Sequence, residues 1–326
     1  MIDGLDSAEG VSPVARLQGA ATGDRIFRTL LTIAALAIPT LLGFLVYELW
    51  KGSQPAMAKF GVDFLTTSTW DPVADKFGAL PLIFGTLLSS LIALVIAVPL
   101  SVGVAIFLTE FAPGPIRRPI AFVVELLAAI PSVVYGLWGI FFLIPVMRTT
   151  LFPLLQKVFG FLPLFRGTIY GNSMLAAGII LAIMIMPYIM SVTREVLASV
   201  PGSQREAALA LGATRWEAAW TAVVPYARSG IVGAIILGLG RALGETMAVT
   251  MLIGNRHEIV ASLFAPGYTM AAAIANEFTE AATDMHFAAL AYVALVLFGV
   301  TVVVNALARL LIWKVSKGRA SGGAAL

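Results

Sequence analysis

No cysteine occurs among the 326 residues, which excludes a disulfide framework, a thiolate nucleophile and an iron–sulfur site. Charge is scarce as well. Asp, Glu, Lys and Arg together make 12% of the chain, about half of the roughly 25% carried by water-soluble domains. A larger core does not account for the deficit, because surface still grows with size and has to be solvated. The two histidines, His257 and His286, lie far apart in sequence without metal-ligand spacing. A Gly-x-x-x-x-Gly-Lys-Ser/Thr phosphate loop is missing, so ATP is not hydrolysed here by that route. Residues 1–25 include Asp3, Asp6, Glu9 and Asp24 and lack a short apolar core followed by a cleavage site. The first apolar segment is therefore expected to remain as a spanning helix.

Apolar residues fill the chain instead, at 59% of the total with a mean hydropathy of +0.93. Lipid must cover much of such a surface. Six apolar stretches, near 26–50, 79–109, 117–147, 171–193, 229–253 and 286–313, reach the roughly 20 helical residues that cross a hydrocarbon core. Backbone groups in lipid must be paired within the segment, so these are helices. Runs such as LIALVIAVPLSVGVAIFL lack the alternation of an outer-membrane barrel strand. The expected fold is all-α: a polytopic membrane protein with six transmembrane helices over 26–313, and short tails at 1–25 and 314–326.

The net charge of +3 does not indicate a nucleic-acid partner, because the basic residues are spread between apolar segments and form no patch. With the N-terminus inside, 13 Lys and Arg fall on the cytoplasmic side and 7 outside, and Arg241 completes the 21. That bias favours both termini in the cytoplasm. The outer loops 51–78 and 254–285 carry Trp70, Asp71, Asp75, Glu258, Phe264, Tyr268 and Glu277. They suit the docking of an extracytoplasmic partner, and equally an ordinary solvated surface.

The cytoplasmic loop 194–228 is patterned. Ser203 with Glu206 and Thr214 with Glu217 both have capping-box spacing. Gly212 lies between them, where a left-handed helix stop is cheap without a Cβ, and Pro225 limits the second helix. The loop reads as two short helices joined by a glycine turn at the membrane surface. On capping logic alone, a plain interfacial amphipathic helix has the same pattern.

Charge also lies inside the membrane. Arg241 is twelve residues into the fifth segment, about 18 Å along at 1.5 Å per residue, and Glu245 follows one turn later on the same face. An arginine at that depth costs about 2.5–3.5 kcal/mol on the lenient insertion scale, so it should face protein or a water-filled path. Its planar fork of donors suits phosphate oxygens, and Gly240 and Gly244 allow close approach. Glu245 would neutralise Arg241 between transport events and accept a hydrogen bond from a protonated phosphate oxygen, which sulfate lacks near neutral pH. A tempered charge also releases its cargo more readily than a lone cation. A buried ion pair that only fixes helix packing is the competing reading, and Glu125 in the third segment is a rival partner for Arg241. Pro131, followed by Ser132, breaks the ladder of the third helix and frees carbonyls; the kink either shapes a central path or is passive.

Glu206-Ala207-Ala208, then Gly212 and Pro225, resembles the "EAA" signature of ATP-binding-cassette importer permeases. Ala222 and Val224 stand where larger aliphatics are usual. Phe77-Gly78-Ala79-Leu80-Pro81, Pro131-Ser132-Val133-Val134-Tyr135-Gly136, Arg241-Ala242-Leu243-Gly244-Glu245-Thr246-Met247-Ala248-Val249 and Ile253-Gly254-Asn255 are similar to the C-type permease of phosphate importers. Similarity runs through nearly all of 26–313. The sister A-type permease shares Arg-Ala-Leu-Gly-Glu-Thr but continues with Ala-Pro.

The resemblance implies a type I importer permease of the bacterial inner membrane that catalyses no covalent chemistry. It also implies a heterodimer with the A-type permease, two ATPase subunits that bind ATP and Mg, an extracytoplasmic phosphate-binding protein, and no cofactor on this chain. Glu206, Ala207 and Ala208 would then enter a groove of the ATPase, with Gly212 making the turn, and Arg241 and Glu245 would serve phosphate passage. Permeases for sulfate or molybdate, a self-sufficient ion-coupled transporter, and an intramembrane enzyme using Glu125 or Glu245 are the alternatives.

Overall fold

The computed structural model describes the backbone of residues 13–317 and the side chains of residues 24–310. The outer parts of the two expected tails, 1–12 and 318–326, lie outside the described residues. Among those described there is no β-strand, only an isolated bridge between Asp71 and Lys76. Six helices are long and apolar enough to cross a membrane: Asp24–Phe60, Leu80–Phe111, Ser132–Phe159, Met174–Ala198, Arg215–Leu243 and Asp284–Leu310. The protein is an all-α polytopic membrane protein.

Packing divides the chain after Lys51. The first unit belongs to helix α1 (Pro13–Phe60). Its apolar side chains, including Leu30, Ile38, Leu41 and Phe44, are exposed, as a helix apolar on all sides is when lipid is the solvent.

The second unit holds α2 (Leu80–Phe111), α3 (Gly114–Ala129), α4 (Ser132–Phe159), α5 (Met174–Ala198), α6 (Gly202–Ala210), α7 (Arg215–Leu243), α8 (Met247–Ile253), α9 (Met270–Glu277) and α10 (Asp284–Lys317). Helix α5 runs through its centre, with Ile180, Leu181, Ile185, Ile189 and Leu197 fully buried. Ser101 of α2 donates to the Met186 carbonyl of α5 at 3.0 Å. Helix α7 presents Gly230, Ala234 and Gly238 to α5. A Cβ on Gly238 would lie 2.6 Å from Ile189 Cγ1, and one on Gly230 would collide with Val196. Lipid supplies no hydrophobic drive between helices, so close packing along small residues does that work.

Two spans differ from the sequence expectation. The third is Ser132–Phe159 and not 117–147. Proline lacks an N–H, and its ring pushes the preceding residue out of the helical region. Ile130 accordingly sits at ψ 128° and ends α3, while Pro131 precedes the first turn of α4. Residues 114–129 thus form a separate amphipathic helix. The fifth span is Arg215–Leu243 and not 229–253. Its ladder stops at Gly244, Thr246 leaves regular helical geometry at φ −108°, and α8 starts afresh at Met247. Pro225 does not limit the second helix of the 194–228 loop, because a π-helical turn at Ala219–Val223 carries it straight into the fifth span. Proline is tolerated there in the first turn of the resumed α-helix.

Candidate substrate path and glycine elbow

Arg241 occupies the last turn of α7, just before the chain breaks. Its guanidinium carbon lies 4.4 Å from the centre of the Tyr188 ring on α5. Its Nε is buried without a hydrogen-bond partner. Tyr188 is held in turn by its hydroxyl, which donates to the Ala128 carbonyl at 2.8 Å. Tyr135 of α4 donates to the neighbouring Leu127 carbonyl at 2.9 Å and lies within electrostatic reach of both Tyr188 and Arg241. Two tyrosines therefore donate to carbonyls in the last turn of α3, where a helix end runs short of donors, the Leu127 carbonyl also accepting from the Ile130 amide at 3.3 Å. The aromatic face of one supports the cation.

The expected Arg241 partners are not in place. Glu245 does not continue one turn along the helix face, because the helix has ended; it lies in the linker to α8, 9% exposed. No ion pair joins Arg241 to Glu245 among the described residues. Glu125 bonds Arg194 at 2.9 Å instead, so it is not a partner of Arg241. Both belong to the stretch before α5 ends, since Glu125 lies on α3 and Arg194 on α5. Pro131 and Ser132 stand at the α3–α4 break, four and three residues before Tyr135. Pro131 therefore separates two helices and does not kink one. The break after α7 is thus flanked by a half-buried cation on an aromatic ring and a buried carboxylate.

At the other end lies the elbow. Gly212 has φ +87°, a left-handed conformation that glycine takes without strain, and a Cβ there would meet open space. Thr214 forms the complete capping box with Glu217. Ser203 does not cap, since Pro201 precedes the helix and Ser203 is already its second residue. Proline sets the extended entry that an N-cap residue supplies elsewhere. Glu206 and Ala207 are exposed and Ala208 is half-buried. Just before the turn Leu211 is 91% exposed, and beyond it Trp216 is 60% exposed. The elbow thus presents Leu211 uncovered, while Trp216 is partly covered by Phe111 and Trp220.

Both histidines converge on one carboxylate, which their sequence separation hid. His286 Nε2 lies 3.1 Å from Glu277 Oε2 and Trp70 Nε1 donates to that oxygen at 2.7 Å. His257 Nε2 approaches Oε1 at 3.3 Å, an electrostatic contact without hydrogen-bond alignment. Trp70 stacks on His257, and Phe77 on His286. These groups edge a cavity of about 800 Å³ that Tyr268 and Glu280 also line. Burial pushes the Glu277 carboxyl up, but contacts from His257, Trp70 and His286 outweigh it and hold it below the usual range. No cluster of His, Asp and Glu among the described residues is arranged to hold a metal ion.

Spanning helices broken at a cation, with a glycine elbow between the fourth and fifth, define a membrane permease. Residues 97–317 match the family described as binding-protein-dependent transport system inner membrane component, and the chain belongs to that family. It is 49% identical over 296 residues to the phosphate transport system permease protein PstC of Mesorhizobium japonicum, covering 90% of each chain. To the protein of the same name from Xylella fastidiosa it is 47% identical, over 91% of this chain and 93% of the other. Among solved structures, a bacterial alginate ABC transporter, in complex with an alginate-bound periplasmic protein, matches with a TM-score of 0.59. That match covers 90% of this chain and 98% of the other at 17% identity, a likeness of fold alone.

Proposed function

We propose that the chain is the C-type permease subunit of an ATP-driven phosphate importer. It forms the path for inorganic phosphate in a heterodimer with an A-type permease. Two ATPase subunits, which hold the ATP and Mg, dock on the 202–217 elbow, and a phosphate-binding protein docks on the opposite face. The chain itself binds no cofactor and performs no covalent chemistry. It sits in the bacterial inner membrane with both termini cytoplasmic, the orientation that the Lys and Arg distribution favours.

The observation that carries this reading is Arg241. Its guanidinium rests on an aromatic ring at the end of a broken helix, with no carboxylate among the described residues paired to it. A guanidinium fork recognises phosphate oxygens in two-point fashion. Without a fixed counter-ion it has capacity for a passing anion, and the ring tempers its charge enough for release. Glu245, buried in the adjoining linker, would accept a hydrogen bond from a protonated phosphate oxygen. Rocking of the two permeases, driven by the ATPases, would expose this site to each side in turn.

The test is radiolabelled phosphate uptake by cells that lack other phosphate systems and express the full complex. Arg241→Gln should abolish high-affinity uptake while the complex still assembles, because the donor fork is lost and packing is nearly kept. Unchanged uptake would refute the assignment. Sulfate or molybdate competing as well as phosphate itself would transfer the reading to a different oxyanion.

A further inference from the structure

The residue just before Glu206 turns the other way. Arg205 Nε lies 3.2 and 3.0 Å from the two Glu110 oxygens, and Nη2 donates to Oε1 at 2.7 Å. Glu110 belongs to the final π-helical turn of α2. The same guanidinium donates through Nη1 to the Val200 carbonyl at 2.8 Å and through Nη2 to the Leu197 carbonyl at 2.9 Å, at the end of α5. One side chain on the elbow thus grips the cytoplasmic ends of two spanning helices. The Glu110 side chain is 10% exposed and that of Arg205 26%, so water competes poorly for either charge. Beside the pair, Phe111 packs on Trp216 at 5.7 Å between ring centres, bracing the far arm of the elbow against the same end of α2.

We propose that Glu110 and Arg205 are the positioning pair through which displacement of the elbow reaches α2 and α5. The inference rests on the reading above that the elbow receives the ATPase. An ion pair confined to the loop would only fold the loop; this one bridges from α6 to two helices that are themselves bonded by Ser101 and Met186. Helix α5 also carries Tyr188, the support of Arg241. A push on α6 therefore has a hydrogen-bonded route to the cation, and cutting it at Glu110 leaves the exposed face of α6 intact for docking.

The full complex, purified and reconstituted in proteoliposomes with the binding protein, tests this with Glu110→Gln, Glu110→Asp and Glu206→Lys. Three quantities are read: ATPase subunits retained, ATP hydrolysed, and phosphate delivered. Glu110→Gln should keep the ATPase bound yet raise the ATP spent per phosphate about tenfold, the ratio that about 1.4 kcal/mol makes. Glu110→Asp, which keeps the charge on a shorter stem, should recover most of the coupling. An unchanged ratio in Glu110→Gln overturns the proposal. So does loss of the ATPase from that variant, or an Asp variant no better than Gln, because the pair would then only hold the loop together. Retention of the ATPase by Glu206→Lys would instead strike the docking reading itself, and the proposal with it.

Discussion

Replacing Tyr188 with leucine should cost transport while leaving the packing of α5 nearly unchanged. The Tyr188 ring does one job that leucine does not: its face lies 4.4 Å from the Arg241 guanidinium carbon. A cation over an aromatic ring is worth about 0.5–1 kcal/mol when exposed and about 2 kcal/mol when desolvated. Arg241 is half-buried and its Nε is fully shielded, which places the contact toward the upper end. About 2 kcal/mol corresponds to a factor of about 30, so uptake at limiting phosphate should fall by roughly that factor. Tyr188→Phe separates the ring from the hydroxyl, since it keeps the platform and loses only the bond to the Ala128 carbonyl. Such a bond is worth about 0.5–1.5 kcal/mol net. Water can replace it at a half-buried carbonyl, so the loss should stay under about fivefold. The assay is initial-rate phosphate uptake over a concentration series, with complex assembly checked by co-purification. Equal transport by the leucine and phenylalanine variants would refute the platform argument.

Three further outcomes are expected. A carboxyl whose folded pKa is depressed stabilises the fold above its unfolded pKa, and that stability is lost as pH falls through the folded value. Glu277 lies below its ordinary 4.5, so the unfolding midpoint in detergent should drop as pH falls below that value. Glu277→Gln should flatten the drop, and parallel curves would count against the reading. At Gly212, φ +87° with open space around a Cβ makes any penalty one of backbone alone, about 1–2 kcal/mol for a β-carbon residue. Gly212→Asn should therefore keep far more ATPase on the purified complex than Gly212→Val, and no difference between them would exclude a required left-handed turn. On α7, Gly238→Ala drives a methyl into Ile189 and should cost about 1–3 kcal/mol by overpacking. Gly233→Ala, where a Cβ meets nothing within 4 Å, should be neutral in the same thermal unfolding assay.

Periodicity and composition made the spans legible because lipid demands about 20 apolar residues wherever a helix crosses. The Thr214–Glu217 box was legible because its two hydrogen bonds are local. What failed was local in appearance but decided by proline or by distance. Ser203 with Glu206 has the same spacing, yet Pro201 starts the helix two residues earlier. Apolar residues continue across Pro131 and across Gly244–Thr246, so hydropathy reads one helix where the backbone makes two. That same continuity made Glu125 a rival partner for Arg241, when the separate α3 delivers it to Arg194. The convergence of His257 and His286 on Glu277 is set by three outer segments meeting in space. Tyr188 carried no charge to draw notice, and its one signal was a tyrosine directly after the intramembrane Pro187.

That adjacency bears on how α5 can work. The helix is tied at three levels: at its outer end by the Ser173, Met174 and Leu175 amides donating to the Leu252, Ala265 and Leu263 carbonyls, in its middle by Tyr188 beneath Arg241, and at its inner end by Arg205 gripping Leu197 and Val200. A helix without a defect would transmit displacement along its whole length and pull the outer ties with it. Pro187 removes one rung of the ladder and makes bending cheapest one residue from Tyr188. The inner arm, with the Arg205 grip, can then turn while the outer arm stays seated on its three backbone bonds. The side chain carried at the joint is the one that supports the cation.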